Sequence, residues 1–358
     1  MSIHTVTIND HVSSVQHEDW SEFFFTTNAS SSINIEEDIL AYNEKQNSTL
    51  ISQYVFSGID HYQPKKNQLQ SAVWIQGDAC TKGEKLSSQG WGISNKTSKD
   101  VVFKGEKCGV IYEDEYALYV RLNGIKPDNI NGSQREQTES LFQNLNDVLQ
   151  SVDFKFNDTI RTWYYLADLL DWYDIFNEVR TTFFNQQNVF DKLVPVSTGI
   201  GAKNQYHAAA IADLLAVQIK DPKKMAVHTI PSPLQEPAMD YKSSFSRALE
   251  ILTPNLRNIY ISGTASIDSN GKTVFLEDPV KQIEKTMDVI HAILQSKGMD
   301  WADITRGIVY YKDMTFEPLF INYCKKHNIP NYPLAVAHAD VCRDDLLFEI
   351  EVDAAKEI

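Results

Sequence analysis

The sequence predicts an α+β fold made of two units, each running strand, helix, strand, helix, strand, with its helices on one face of the sheet. Two observations carry this prediction. Shifted by 145 residues, segment 137–168 aligns on 282–313 without a gap, with Glu139/Glu284, Asp158/Asp303, Arg161/Arg306, Tyr165/Tyr310 and Asp168/Asp313 as identical pairs. Apolar positions that differ stay apolar, as in Val148/Ile293 and Phe156/Trp301. The match runs from a helix through a turn into a strand, further than a shared amphipathic pattern would carry it. Second, both copies show the same order of β-rich and 3.6-periodic segments.

In the upper copy a strand is expected at 116–122, a helix at 135–151, a strand at 159–166 (TIRTWYYL) and a helix at 170–184. In the lower copy 258–267 (NIYISGTASI) alternates and ends in small residues, so it reads as a strand entering a turn. Asp278 then precedes an apolar stripe at Val280, Ile283, Met287, Ile290 and Leu294, a helix closed by Lys297 and Gly298. A strand at 304–311, a helix at 314–327 and a last strand at 346–352 complete the unit. Between the copies lie STGIG (197–201), a helix-like run at 207–217 and a Pro-rich extended connector. Residues 1–70 are polar and give only weak strand signals. The expected division is a poorly assigned segment 1–70 within the first domain, a first unit at 71–190, a connector at 191–237 and a second unit at 238–358.

Composition narrows the function classes. The chain has 358 residues, 42% of them hydrophobic, and a formal net charge of −15. That balance argues against a bulk electrostatic grip on nucleic acid or anionic membrane, while leaving room for a small anionic ligand in an arginine-lined pocket. No apolar run approaches the length of a membrane span, and the first residues show no basic-then-apolar leader, so a cytoplasmic location is expected. The cysteines, Cys80, Cys108, Cys324 and Cys342, are scattered, and the nine histidines form no ligand pattern. Neither a disulfide framework nor a metal site is expected.

Several residues stand out chemically. The last strand, LLFEIEV, is apolar except for Glu349 and Glu351, which alternation puts on one face. A carboxyl buried there would hold its proton near neutral pH and serve as an acid; at a solvated edge both would be ordinary ion-pair partners. The spacing does not choose between them. STGIG offers Thr198 and Gly199, with backbone N–H groups able to approach an anion, as a turn before a helix. It lacks the spacing of a nucleotide-binding loop. Tyr206 and Tyr241 could supply phenolic hydrogen bonds.

The lower copy, through PAMDYKSSFSRALEI (237–251), ISGTASI (261–267), segment 282–313 and FEIEV (348–352), resembles the Rid/YjgF superfamily. These are small trimeric proteins with sites at subunit boundaries, several of which hydrolyse enamines and imines. The whole chain is similar to the chorismatases, two-domain relatives that cleave pyruvate from chorismate. That likeness rests on RTWYYL (161–166), DWYDIFNEVRTTFF (171–184), STGIGAKN (197–204), SPLQEPAMDYKSSFSRA (232–248), SGTASI (262–267) and VCRDDLLFEIE (341–351). It implies tandem Rid/YjgF-like (chorismate-mutase-like) βαβαβ units with helices on one face of mixed sheets.

The resemblance favours Glu349 as general acid, protonating the enolpyruvyl methylene of a dianionic substrate without metal or organic cofactor. It implies Arg161 and Arg180 as carboxylate anchors, the guanidinium fork suiting that task. It implies that Cys342 goes with formation of 3-hydroxybenzoate rather than hydrolysis to a dihydrodiol. A monomer and a homotrimer are both compatible with it. Two departures matter. The stretch from Tyr332 to Val336 lacks the arginine with which deaminating Rid proteins hold a carboxylate, which weakens an enamine/imine hydrolase reading. Lys242 stands where a small residue is expected. A non-catalytic metabolite-binding relative is the remaining alternative.

Overall fold

The computed structural model describes residues 5–9, 11–29, 35–59, 72–77, 86–241 and 243–358; Cys80 and Lys242 lie outside them. The described chain folds into three six-stranded sheets rather than two. The first unit comprises β1 (Thr5–Asn9), β2 (Val12–Gln16), β3 (Ser21–Ala29), α1 (Ile35–Lys45), β4 (Thr49–Ser57), β5 (Ala72–Gln76) and β6 (Leu86–Ser94). The second holds β7 (Ser98–Phe103), β8 (Glu106–Glu113), β9 (Ala117–Ile125), α2 (Gln134–Ser151), β10 (Thr159–Leu166), α3 (Tyr173–Gln186), β11 (Val196–Gly201) and β12 (Ala210–Ile219). The third holds β13 (Ala226–Ile230), β14 (Ala248–Leu252), β15 (Leu256–Ala265), α4 (Pro279–Gln295), β16 (Ile304–Tyr311), α5 (Glu317–Lys326), β17 (Leu334–His338) and β18 (Phe348–Glu357).

All three sheets have one topology. Their strand orders are β1-β2-β3-β6-β4-β5, β7-β8-β9-β12-β10-β11 and β13-β14-β15-β18-β16-β17. In each, the last strand enters antiparallel between the third and fourth, and the fifth pairs parallel with the fourth. The repeat seen in the sequence is thus two-thirds of a three-fold pattern. The first unit hid because its strands bury polar side chains: Ser13, Thr26 and Ser88 are each 0% exposed. Ser88 donates to the Tyr54 carbonyl (2.6 Å) and Gln89 to the Gly307 carbonyl (2.8 Å), so hydrogen bonds satisfy what alternation of hydrophobicity would have avoided.

Segment 207–217 is a further correction. Its helix-like run is the central strand β12, buried along eight of its residues. A continuous apolar stretch fits a two-sided buried strand as well as a helix, and here the sheet wins. Likewise STGIG is not a turn but part of β11, parallel to β10. The expected helix starts fare better: Asp278 caps α4 by accepting from the Lys281 N–H, and Ser133 and Glu136 form a reciprocal capping box on α2.

One face of each sheet takes its helices. Phe142, Phe176 and Phe184 pack α2 and α3 on the second sheet, and Ile283, Met287 and Phe320 pack α4 and α5 on the third. The other faces meet one another: Tyr54 and Phe56, Trp163 and Tyr165, and Ile308 and Tyr310 share one apolar cluster. The edge strand of one unit crosses the central strands of the next, so every boundary juxtaposes two units.

Candidate active site

A cleft of about 960 Å³ opens between the second and third units. One wall is α3, presenting Tyr173, Asn177 and Thr181; the other is the third unit, with Arg247 before β14 and Gly263 and Glu349 on the central strands β15 and β18. Glu349 lies on β18 between Ala265 of β15 and Tyr310 of β16. Its side chain is 4% exposed. Burial and then the charge of Glu351 push its carboxyl up to about 8, against the lesser pull of Arg161 and Arg247. It therefore faces the cleft as a carboxylic acid at neutral pH. Gly263 makes the room: a Cβ there would stand 2.0 Å from Glu349 Oε1.

Glu351, two residues on, takes the opposite state. It is 0% exposed, but Arg161 Nη2 donates to it at 2.8 Å, Arg306 Nη1 at 3.0 Å and Trp163 Nε1 at 2.9 Å. Burial works to raise its carboxyl, yet the two guanidiniums and these donors outweigh it and hold the group below its usual range. The last strand thus carries an acid and a carboxylate side by side.

Arg247 and Arg343 are the guanidiniums that line the cleft with Glu349. Arg247 is 5% exposed, anchored by Nε to the Glu236 carbonyl at 3.1 Å and lying over the Phe245 ring. Arg343 reaches Thr273. Cys342 also borders the cleft, and burial, then Glu349, pushes its thiol up to about 12, so it is an uncharged S–H group at neutral pH.

The sequence-expected residues are thus dispersed. Glu349 and Cys342 share the cleft. Arg161, expected as a substrate anchor, sits behind it, its guanidinium bound to Glu351, Thr198 and the Ile261 carbonyl. Arg180 is buried under α3, 2% exposed, with Asn177 Oδ1 at 2.6 Å and the rings of Tyr164 and Phe176 beside it, and it does not line the cleft. Thr198 accepts from Arg161 and from the Gly263 N–H, and Gly199 faces the Tyr173 hydroxyl, so both stand at the boundary as its inner support. Tyr206 belongs to a different boundary, against Gly124 between the first and second units. Tyr241 ends the short 3-10 turn Ala238–Tyr241 near the cleft wall. Arg247, Gly263 and Arg343 escaped attention although SSFSRA, SGTASI and VCRDD contain them; what was missing was the knowledge of which motif residues face one another.

Among the described residues no group of three or more His, Cys, Asp or Glu is placed to hold a metal, and no helix is long and apolar enough to cross a membrane. Comparison with known proteins adds three findings. The family model described as Endoribonuclease L-PSP matches residues 237–356, the third unit. A 3-hydroxybenzoate synthase of Streptomyces hygroscopicus is 22% identical over 69% of this chain and 76% of its own length, and a chorismatase of the same organism is 24% identical over 64% and 70%. A chorismatase crystal structure superposes with a TM-score of 0.68 at 18% identity, covering 92% of this chain and 98% of that one, so the whole three-sheet arrangement is shared. Motif order, the third unit's family match and the fold of the entire chain agree in what they resemble: the chain is similar to the chorismatases.

Proposed function

We propose that this enzyme removes pyruvate from chorismate in the cleft between its second and third units and releases 3-hydroxybenzoate. Glu349 is the general acid. It protonates the methylene carbon of the enolpyruvyl group, giving an oxocarbenium ion at the ether carbon. The ring hydroxyl then displaces the pyruvyl oxygen, returning its proton to the Glu349 carboxylate; pyruvate leaves, and the ring oxide opens, losing a ring C–H proton and taking one up on oxygen to become the phenol. No water is consumed on this course, whereas hydrolysis would add one and leave a dihydrodiol. Protonation by a placed acid contributes about 10²–10⁴ in rate.

The observation that carries this reading is a carboxyl held near pH 8 in a cleft bordered by two arginines, the combination that an acid-labile dianion requires. Arg247 and Arg343 are assigned to the substrate carboxylates, replacing Arg161 and Arg180 in that role. Cys342, a neutral thiol on the cleft wall, favours the dry route by occupying space beside Glu349. The names of the relatives, 3-hydroxybenzoate synthase and chorismatase, support the substrate and the product. The cleft draws both walls from one chain, so the reading needs no second copy.

Purified protein incubated with chorismate is expected to release pyruvate, measured by coupled lactate dehydrogenase, and one equivalent of 3-hydroxybenzoate by chromatography. A dihydrodiol in its place would overturn the product assignment. Turnover of 2-aminoacrylate with none of chorismate would overturn the whole reading.

A further inference from the structure

We propose that Glu351 is a positioning residue of the reaction: fixed as a carboxylate where the second and third units meet, it keeps the Glu349 side chain in its acid form. This rests on the reading of Glu349 as the proton donor. The geometry supporting it is specific. Glu351 shares the inward face of β18 with Glu349, roughly 7 Å along the strand, and is sealed from the cleft, so it touches no substrate. Its two cations come from different units, Arg161 from β10 and Arg306 from β16, and Arg306 is itself shared with Asp353 at 2.5 Å and Gln89 at 2.8 Å. Trp163 Nε1 contributes two further contacts, at 2.9 and 3.0 Å.

Such an assembly returns little as a stabilising device, since the desolvation of buried ions consumes most of their attraction. As a fixed charge it has a direct effect on its neighbour. The charged or titratable groups around Glu349 are Glu351 on its own strand, Tyr310 on β16, Arg161 on β10, Arg247 beside β14, Cys342 and Arg343 on the segment before β18, and, across the cleft on α3, Tyr173, Asp174 and Glu178. Tyr310 and Cys342 are neutral at neutral pH, both pushed up by burial. The arginines favour ionised Glu349, and Glu351 is the buried carboxylate whose charge opposes them. Removing it leaves Arg161 without its buried counter-ion beside an acid that would then give up its proton early.

The test is the pH dependence of Glu351→Gln, read two ways. For chorismate turnover, the alkaline decline in kcat, expected near pH 8 in the parent, should move down by about one pH unit or more. At pH 8 the variant should then lose about tenfold in kcat relative to its own acidic plateau. Carbon-13 NMR of the Glu349 carboxyl needs no substrate and should show the same displacement, so it tests the inference even if chorismate is not the substrate. In Arg161→Gln/Glu351→Gln both members of that ion pair go, and the titration should return toward the parent's; if the single variant folds poorly, Arg161→Gln alone serves, and it should move the Glu349 titration up, where a purely structural pair would leave it unmoved. A purely structural Glu351 would lower kcat and the melting temperature while leaving both titrations where they were, and that result overturns the proposal. Absence of chorismate turnover in the parent, with the NMR displacement intact, would overturn the proposed substrate and leave this inference standing.

Discussion

The three boundaries between units occupy equivalent places in one repeating topology, and the side chains at them differ; that between the second and third units holds the cleft with Glu349. Register makes the comparison residue by residue. Opposite the conserved tyrosine-or-phenylalanine position of the fourth strand (Phe56, Tyr165, Tyr310), the central strands carry Ser87, Ile211 and Glu349; two residues on they carry Gln89, Asp213 and Glu351. Where the third unit leads into the first, Ser87 accepts from the Val336 N–H and donates to Asn28, which itself donates to the Leu334 carbonyl: the gap is stitched shut. Where the first leads into the second, the Tyr206 hydroxyl stands 3.4 Å from the place a Cβ on Gly124 would take, and Gly124 is the register mate of Gly263. There a phenol, rather than a carboxyl, stands over the glycine. The lesson is that the fold offers a boundary pocket three times, and side chains decide which remains open and which acquires an acid.

Breaking the acid should have the largest effect. Glu349→Gln is expected to lower kcat about 10²–10⁴-fold with the fold retained, checked by pyruvate release alongside circular dichroism. Because the carboxyl is raised from 4.5 to about 8, the folded state holds a proton that the unfolded chain has lost, so its burial costs nothing below about pH 4.5 and progressively more up to pH 8. The same variant should therefore be more stable than the parent at pH 8, by about 3–5 kcal/mol, and equal to it near pH 4, a difference that denaturant melts at the two pH values will show.

Next in size is the space around the acid. Gly263→Ala must move the Glu349 carboxylate and should cost about 10–100-fold in kcat. Its counterpart Gly124→Ala meets a positive φ of 62° and should cost about 1 kcal/mol of stability while leaving kcat alone. Equal losses of activity in the two would mean that the boundaries are not functionally distinct. Arg247→Met is expected to raise KM about 10–100-fold with a smaller change in kcat, as loss of a charge-assisted carboxylate contact would. The smallest change in rate is expected from Cys342→Ala, read instead as product partition: extra room for water beside Glu349 should divert part of the flux from 3-hydroxybenzoate to the dihydrodiol.

Much of the fold was legible because periodicity and capping agree locally. Residues 159–166 and 304–311 coincide with β10 and β16, and Asp278 caps its helix as its position before an apolar stripe implies. What was not legible has physical causes. The first unit buries serines, threonines and glutamines whose partners come from distant segments, so no local pattern announces a core. The 207–217 run is apolar on both faces, which erases the distinction between strand and helix. In the site, alternation placed Glu349 and Glu351 on one face but could not divide their roles, because that division depends on Arg161, 190 residues from Glu351, bonding to one and not the other. Arg161 and Arg180 looked like anchors for an anion; the anions they were free to meet, or the rings they pack against, lay inside the protein.

The contacts that join the first unit to the third span very long separations: Ser13 to Thr305, Gln89 to Gly307, and Ser87 to Val336. A ribosome delivers the amino-terminal sheet long before those partners exist, so its buried serines and glutamines stay wet, and its inner face unpaired, until the carboxy-terminal third emerges. Closing this ring is a high-contact-order event, of the kind that slows folding. The strand bearing Glu349 follows every other described strand in chain order, so the acid and the closed architecture are completed by the same segment.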